Sequence, residues 1–183
     1  MKRLILALFL TLTSTFGWAQ KFGYIDSQDI ISKMPEYKKA QTELNQFSVK
    51  WQKEIEDVQL SIDKLKQEYQ AEEVLLTEDM RKERTDTIAA REKSLRELQK
   101  NYFGYKGLLF LKRQELVRPA QEKLYVAVEK VAKESKLSII FDKSGELVMI
   151  YTNPDHDYTE DVLIALGLLD KKDILPPNNK NKP

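Results

Sequence analysis

Apolar residues recur every three or four positions along a charged stretch that begins near residue 40. The stripe consists of Ala40, Leu44, Phe47, Trp51, Ile55, Val58, Ile62, Leu65 and Tyr69. This spacing is typical of an amphipathic α-helix, because about 3.6 residues complete one helical turn. A face this narrow cannot form a globular core, so the helix needs one partner helix.

A second charged stretch supplies that partner. Its apolar positions, seven residues apart, are Ile88, Leu95, Tyr102, Leu109 and Leu116. Leu98 and Tyr105, also seven residues apart, form the second seam. Facing residues of an antiparallel pair have a constant sum of residue numbers, and Trp51 with Tyr102 and Val58 with Leu95 both give 153. The two stretches are therefore predicted to form a long antiparallel coiled-coil hairpin.

The register places the reversal near residues 76–77. Thr77 is followed by Glu78 and Asp79, which gives a capping side chain and two acids at the positive end of a helix. We therefore predict a helical arm over residues 38–119 with its tip at this point. Because no glycine or proline forces the turn, one continuous helix that pairs with a second chain is the alternative.

Gly104 and Gly107 lie within the second stretch, where each glycine costs a helix about 1 kcal/mol relative to alanine. The register places them near Phe47 and Trp51. Two interpretations stay open. Either the missing side chains make room for the two rings, or the glycines form a hinge at which the arm bends.

Short apolar runs flank the arm. A strand is predicted at residues 22–25, followed by a short helix that stops before Pro35, since the residue preceding a proline is pushed out of helical geometry. Two further strands, at residues 138–142 and 147–151, are predicted to form a β-hairpin around a turn that contains glycine.

A last short helix is predicted to end at Gly167. Residues 20–37 and 120–169 are therefore predicted to form a small strand-containing body, and the chain as a whole is predicted to be an α+β protein. Residues 170–183 have little apolar side-chain area to bury and are predicted to be disordered.

The first residues have the pattern of a secretory signal peptide. A basic start, residues 1–3, precedes the apolar residues 4–12, which are too few to span a bilayer. Signal cleavage is predicted between Ala19 and Gln20, so residues 1–19 are predicted to be removed on export.

Charge and composition exclude several function classes. The chain of 183 residues has 30 basic and 29 acidic side chains and no cysteine, so neither a nucleic acid partner nor disulfides are expected. No phosphate-binding glycine loop is present, and the single histidine, His156, is predicted to lie in a polar turn rather than in a metal site. We expect no catalytic residue, no cofactor and no metal.

Some apolar residues of the arm lie outside the two stripes and are predicted to be exposed contact residues. They are Val49, Leu60, Val74, Leu75, Leu76, Met80, Phe103, Phe110 and Leu111. The alternative for each is packing against a neighbouring subunit, or isolated exposure without a function.

Four segments carry a resemblance to a known family. They are Gly23–Asp26, Met34–Tyr37, Ile139–Ser144 and Asp157–Val162, and the pair Ile30-Ile31 lies between the first two. In this order and spacing, the chain from about Phe22 to Leu168 resembles the Skp/OmpH-like periplasmic chaperones.

The resemblance implies a homotrimer in which strands from three subunits form a small barrel and three arms enclose a cavity. It implies that the cavity holds unfolded outer-membrane proteins without ATP, in the periplasm. The chain departs from strongly basic members of the family, so peripheral contact with envelope lipids or lipopolysaccharide stays open. The alternative function is that of an exported structural or adaptor protein whose hairpin docks on a cell-envelope complex.

Overall fold

The computed structural model describes residues 21–146 and 148–170. The predicted signal peptide with its cleavage site at Ala19 and Gln20, and the predicted disordered tail beyond Asp170, lie outside the described residues. The elements are β1 (Lys21–Ile25), α1 (Ser27–Lys33), α2 (Pro35–Glu72), a 3-10 turn (Glu73–Leu75), α3 (Glu78–Phe103), α4 (Leu108–Ser135), β2 (Leu137–Asp142), a second 3-10 turn (Pro154–His156) and α5 (Thr159–Ala165).

The chain divides into two compact units. Residues Ser32–Glu122 form one unit, here called the hairpin unit, and the described residues before and after it form the other, here called the sheet unit. No helix of the described residues is both long and apolar enough to cross a membrane.

The hairpin unit contains the predicted antiparallel helices. Helix α2 starts with Pro35 in its first turn and Glu36 beside it, as the fixed φ of proline and the helix dipole favour. Residues 73–77 reverse the chain, and the hydroxyl of Thr77 accepts a hydrogen bond from the Met80 N–H at 3.4 Å. The long helical hairpin is confirmed, and one continuous helix through this segment is ruled out.

One aromatic pair confirms the predicted register. The rings of Trp51 and Tyr102 stack at 5.0 Å between centroids with 10° between their planes. The Tyr102 hydroxyl also donates to a carboxylate oxygen of Glu54 at 2.9 Å. Nearer the tip, Lys66 Nζ lies 2.6 Å from Glu92 Oε1 across the two helices.

The helical chain is interrupted at the two glycines. Helix α3 ends at Phe103, α4 begins at Leu108, and Lys106 between them has a φ of 56°. A Cβ on Gly104 would overlap the carbonyl oxygen of Lys100, and one on Gly107 would lie 2.8 Å from the carbonyl oxygen of Asn101. Crowding by the chain's own carbonyls explains the glycines, so room for aromatic rings is not the reason for them.

Helix α4 continues through Pro119 to Ser135. The predicted boundary between arm and body at residues 119–120 therefore does not coincide with the end of a helix. Pro119 lacks an N–H for the helical ladder, yet the helix runs on as one element.

The sheet unit contains two strands, which pair in parallel. Phe22 lies opposite Ile139, and Tyr24 lies opposite Phe141. The strands predicted near both positions are confirmed, but the predicted β-hairpin of residues 138–151 is wrong. Residues 148–151 form no strand, and Leu147 lies outside the described residues.

Hydrogen bonds at the end of β2 explain why no second strand folds back along it. The Lys143 N–H donates to the carbonyl of Ile25 at 2.8 Å, so the chain remains bonded to β1 beyond the strand. The Asp142 carboxylate accepts hydrogen bonds from the backbone N–H groups of Ser27 and Ser144. A turn bonded in this way leaves the sheet instead of folding back along β2.

On its other side, β1 is covered by the segment that enters α5. The Tyr158 N–H donates to the carbonyl of Tyr24 at 2.9 Å. The short helix ends before Gly167, whose φ of +70° suits a glycine at a helix end. Buried apolar side chains of this unit include Ile25, Ile30, Val131, Val162 and Leu163.

Candidate functional site

The tip of the hairpin exposes a small apolar surface. Val74 and Leu75 are 86% and 82% exposed, Met80 is also exposed, and Leu76 is half-buried. We call Val74, Leu75 and Met80 the tip patch. The reversal at residues 73–77 thus brings together three exposed residues that the sequence predicted as contact residues.

The tip patch has an acidic surround. Residues 67–80 contain five carboxylates and no lysine or arginine. Two of these carboxylates are paired from α3: Arg81 lies 3.6 Å from Glu78, and Arg84 lies 3.9 Å from Glu72. Glu68 is paired with Lys64 at 3.8 Å on α2, and Glu73 and Asp79 complete the set.

Tyr69 shows the effect of this acidic environment. Its hydroxyl donates to a carboxylate oxygen of Glu73 at 3.2 Å. Desolvation first, and then the negative charge of Glu73, raise the pKa of the Tyr69 hydroxyl. The Tyr69 hydroxyl thus adds a hydrogen bond to the acidic surround of the tip patch.

A second apolar surface surrounds the helix interruption. The predicted contact residues Phe103, Phe110 and Leu111 are exposed there, and so are Leu108 and Tyr105. We call these five residues the break patch. The heptad pattern placed Tyr105 in the seam, but it is 94% exposed because the helix ends at Phe103.

The break patch has a basic surround, unlike the tip patch. Lys112 lies 5.4 Å from the ring centre of Phe47, and Lys106 lies 5.4 Å from that of Tyr105. Both are cation–π contacts. The remaining predicted contact residues, Val49 and Leu60, are exposed singly on α2.

Sequence reasoning missed a third apolar surface, in the sheet unit. This surface includes the exposed side chains of Phe22, Phe141 and Tyr151. Other exposed apolar residues of the unit are Tyr125, Val126, Ile139, Val148 and Ile150. A groove of about 480 Å³ lies against this surface, between Phe22, Phe141, Met149 and Tyr151. The run Ile139–Phe141, apolar on both faces of the strand, is the signal that could have revealed it.

The strand β2 has one open edge. Its partner is β1 on one side, and no other strand of residues 21–146 and 148–170 pairs with it. An open edge presents unpaired backbone N–H and C=O groups, which can template further strand pairing. The open edge of β2 and the apolar groove make the sheet unit a candidate for assembly with further copies.

Hydrogen bonds and ion pairs link several segments of the sheet unit. Asp142 accepts hydrogen bonds from Ser27 and Ser144, and Lys143 Nζ lies 3.7 Å from Asp26 and 3.5 Å from Asp157. Partial burial alone would raise the pKa of Asp142, but the hydrogen bonds from Ser27 and Ser144 lower it.

The pKa of Asp157 is shifted in the same direction. Partial burial opposes the shift, but hydrogen bonds from Thr159 and the charge of Lys143 lower the pKa of this carboxyl. The same hydrogen bonds link Asp142 to the start of α1 and Asp157 to the start of α5.

Within the described part of the chain, no group of three or more His, Cys, Asp or Glu side chains could hold a metal ion. His156 ends a 3-10 turn, and its ring lies 5.3 Å from that of Phe22. The surfaces described above offer apolar contacts and charge.

Residues 21–166 match the family model of the outer membrane protein (OmpH-like) family. The chain belongs to the OmpH-like family. An uncharacterized protein of Aquifex aeolicus is 29% identical over 157 residues, which cover 86% of this chain and 92% of that protein.

A solved structure shows the OmpH-like fold. It is a crystal structure of a candidate outer membrane chaperone (OmpH-like) from Caulobacter crescentus, with a TM-score of 0.66 and 17% identity. The match covers 80% of this chain and 83% of that one. The predicted resemblance and the helical hairpin with a small strand-containing unit are confirmed.

Proposed function

We propose that this OmpH-like protein is an ATP-independent holding chaperone of the periplasm. Its clients are unfolded outer-membrane proteins, which it keeps from aggregating, and it performs no catalysis. The observation that carries this proposal is the exposure of apolar side chains at two separate patches of a hairpin of this family. Exposed apolar surface on a soluble protein usually marks a binding site.

The physical mechanism rests on many weak contacts. An unfolded barrel protein exposes apolar side chains and unpaired strand edges, which make it prone to aggregation. The tip patch and the break patch are each too small to hold such a client tightly. Several patches acting together raise the effective concentration of the next contact, so they retain the client and still let it leave.

Assembly into a homotrimer is part of the proposal. Two strands with one open edge and exposed apolar side chains on β2 favour pairing with further copies, because a two-stranded sheet is marginal by itself. The hairpins of several copies would then surround one client. The trimer number comes from the family resemblance.

The direct functional experiment uses the mature protein and an outer-membrane barrel protein diluted from urea. We expect substoichiometric trimer to suppress light scattering without nucleotide. An inert protein of similar charge at equal mass is the control. Suppression no better than that control would contradict the proposal.

An adaptor role is the second candidate, favoured by the concentration of exposed residues at one point, Val74 and Leu75. The double substitution V74S/L75S separates the two functions. An adaptor that docks through its tip would lose its partner altogether, whereas a holdase with several patches would lose only part of its suppression of aggregation.

A further inference from the structure

The composition of the hairpin's reversal is unusual for an exposed turn. Turns are usually built from Gly, Asn, Asp, Ser and Pro, but residues 74–76 are Val, Leu and Leu. The side chains of Val74 and Leu75 are almost fully exposed. Neither packs in the interior of the hairpin unit, so local stability does not account for their apolar character.

Charge indicates what these side chains contact. Residues 67–80 contain five carboxylates and no basic residue. Glu73 directly precedes Val74 in the sequence, and Asp79 directly precedes Met80. Lys64, Arg81 and Arg84 are paired with Glu68, Glu78 and Glu72, so they offset part of the negative charge. Glu73 and Asp79, the two carboxylates beside the tip patch, are outside these ion pairs. An apolar centre with an acidic rim is complementary to an apolar segment that carries positive charge.

We infer that the tip patch selects client segments in which apolar residues are accompanied by lysine or arginine. This inference rests on the proposed holding function and names the class of client segment that one of its surfaces takes. The break patch has a basic surround, with Lys106 and Lys112 beside it and Lys112 paired with Glu115 at 2.8 Å. One hairpin therefore offers two chemically different surfaces to a client.

Because the chain has no cysteine, a dye attached to one introduced cysteine reports binding at the tip alone. A single A71C substitution takes an environment-sensitive dye next to the tip patch. The probes are two unstructured peptides of equal length and equal apolar content, one carrying lysine and the other glutamate at the same positions. We expect the lysine peptide to bind about fivefold more tightly, as a few exposed ion pairs provide.

Two triple variants test the cause of the preference. E73Q/E78Q/D79N removes charge at the tip and should abolish the preference for lysine. E56Q/D57N/E97Q removes the same charge from exposed positions elsewhere on the hairpin and should leave the preference unchanged. Circular dichroism verifies that both variants keep their helix content.

Three outcomes would overturn the inference. They are equal binding of the two peptides, a preference that persists in E73Q/E78Q/D79N, and a stronger tip signal with vesicles of anionic lipid than with the lysine peptide. If aggregation is still suppressed in parallel, the proposed function stands and only the charge selectivity falls. If neither peptide binds and aggregation is not suppressed, the holding function itself falls.

Discussion

At Gly104, the absence of a Cβ permits the backbone conformation with which helix α3 ends. The N–H of this glycine donates to the carbonyl of Lys100 at 2.9 Å, and the same carbonyl occupies the place that a Cβ would need. The sequence indicated that a glycine was unusual here. It did not show which atoms required it, because the crowding arises from local backbone geometry that periodicity does not encode.

The substitution G104A tests this explanation. We expect it to lower the free energy of unfolding by about 1–3 kcal/mol, since a rigid backbone carbonyl must move to accept the methyl group. Urea titration followed by circular dichroism gives the value.

Gly145 provides the matched control. A Cβ there would meet its nearest atom at 3.5 Å, an ordinary contact, so G145A should change stability by less than about 0.5 kcal/mol. Equal effects of the two substitutions would show that crowding at Gly104 is not what ends helix α3.

At the scale of elements, the sequence predicted the long helices well and the sheet poorly. The hairpin register was predictable because helix pairing follows a repeat that extends over many residues, and Trp51 stacks on Tyr102 as that repeat requires. The partner of β2 was not predictable. A short apolar run does not specify its neighbour, and the parallel pairing of Phe22 with Ile139 joins distant segments.

The exposed apolar surfaces were predictable to a similar extent. Exposure of the tip patch followed from apolar residues placed outside the stripes, and the structure shows those residues exposed. Tyr105 was misplaced because a helix end interrupts the repeat. The sheet unit's exposed residues were missed because strand residues such as Ile139 and Phe141 looked like core positions.

The carboxylate network of the sheet unit makes its stability depend on pH. The folded structure lowers the pKa of Asp142 and of Asp157. A lowered pKa contributes stability that is present above the unfolded value, about 3.9, and is lost as pH falls through the folded value. We therefore expect acid to loosen this unit below about pH 4.

The substitution D142N tests this dependence by removing a charged hydrogen-bond acceptor. At neutral pH it should lower stability by about 1–2 kcal/mol, and thermal unfolding should show a weaker loss of stability between neutral and acid pH than in the parent protein. The exposed Glu146 offers a control, because E146Q should leave the pH profile unchanged. Identical profiles of parent and D142N would contradict the assignment.

At the scale of the whole molecule, the proposed function requires several copies of the chain to assemble through the sheet unit. The double substitution I139K/F141K puts two charges on the exposed side chains of β2. We expect it to shift the mature protein from trimer to monomer, as measured by analytical ultracentrifugation, because burying unpaired charges at an interface is costly. V49K, on the exposed surface of the hairpin, should leave the mass unchanged. A trimer that survives I139K/F141K would place the interface elsewhere.

The central claim is that copies of this chain together hold an unfolded outer-membrane protein. Native mass spectrometry of the mature protein, mixed with a urea-diluted barrel protein in the absence of nucleotide, tests it most directly. The account predicts one species containing three copies of the chain and one client, and no complex with the same client after it has folded in detergent. Two results would contradict it. One is a mixture with the unfolded client that contains free client and free protein but no complex, and the other is equal binding of the folded and the unfolded barrel protein.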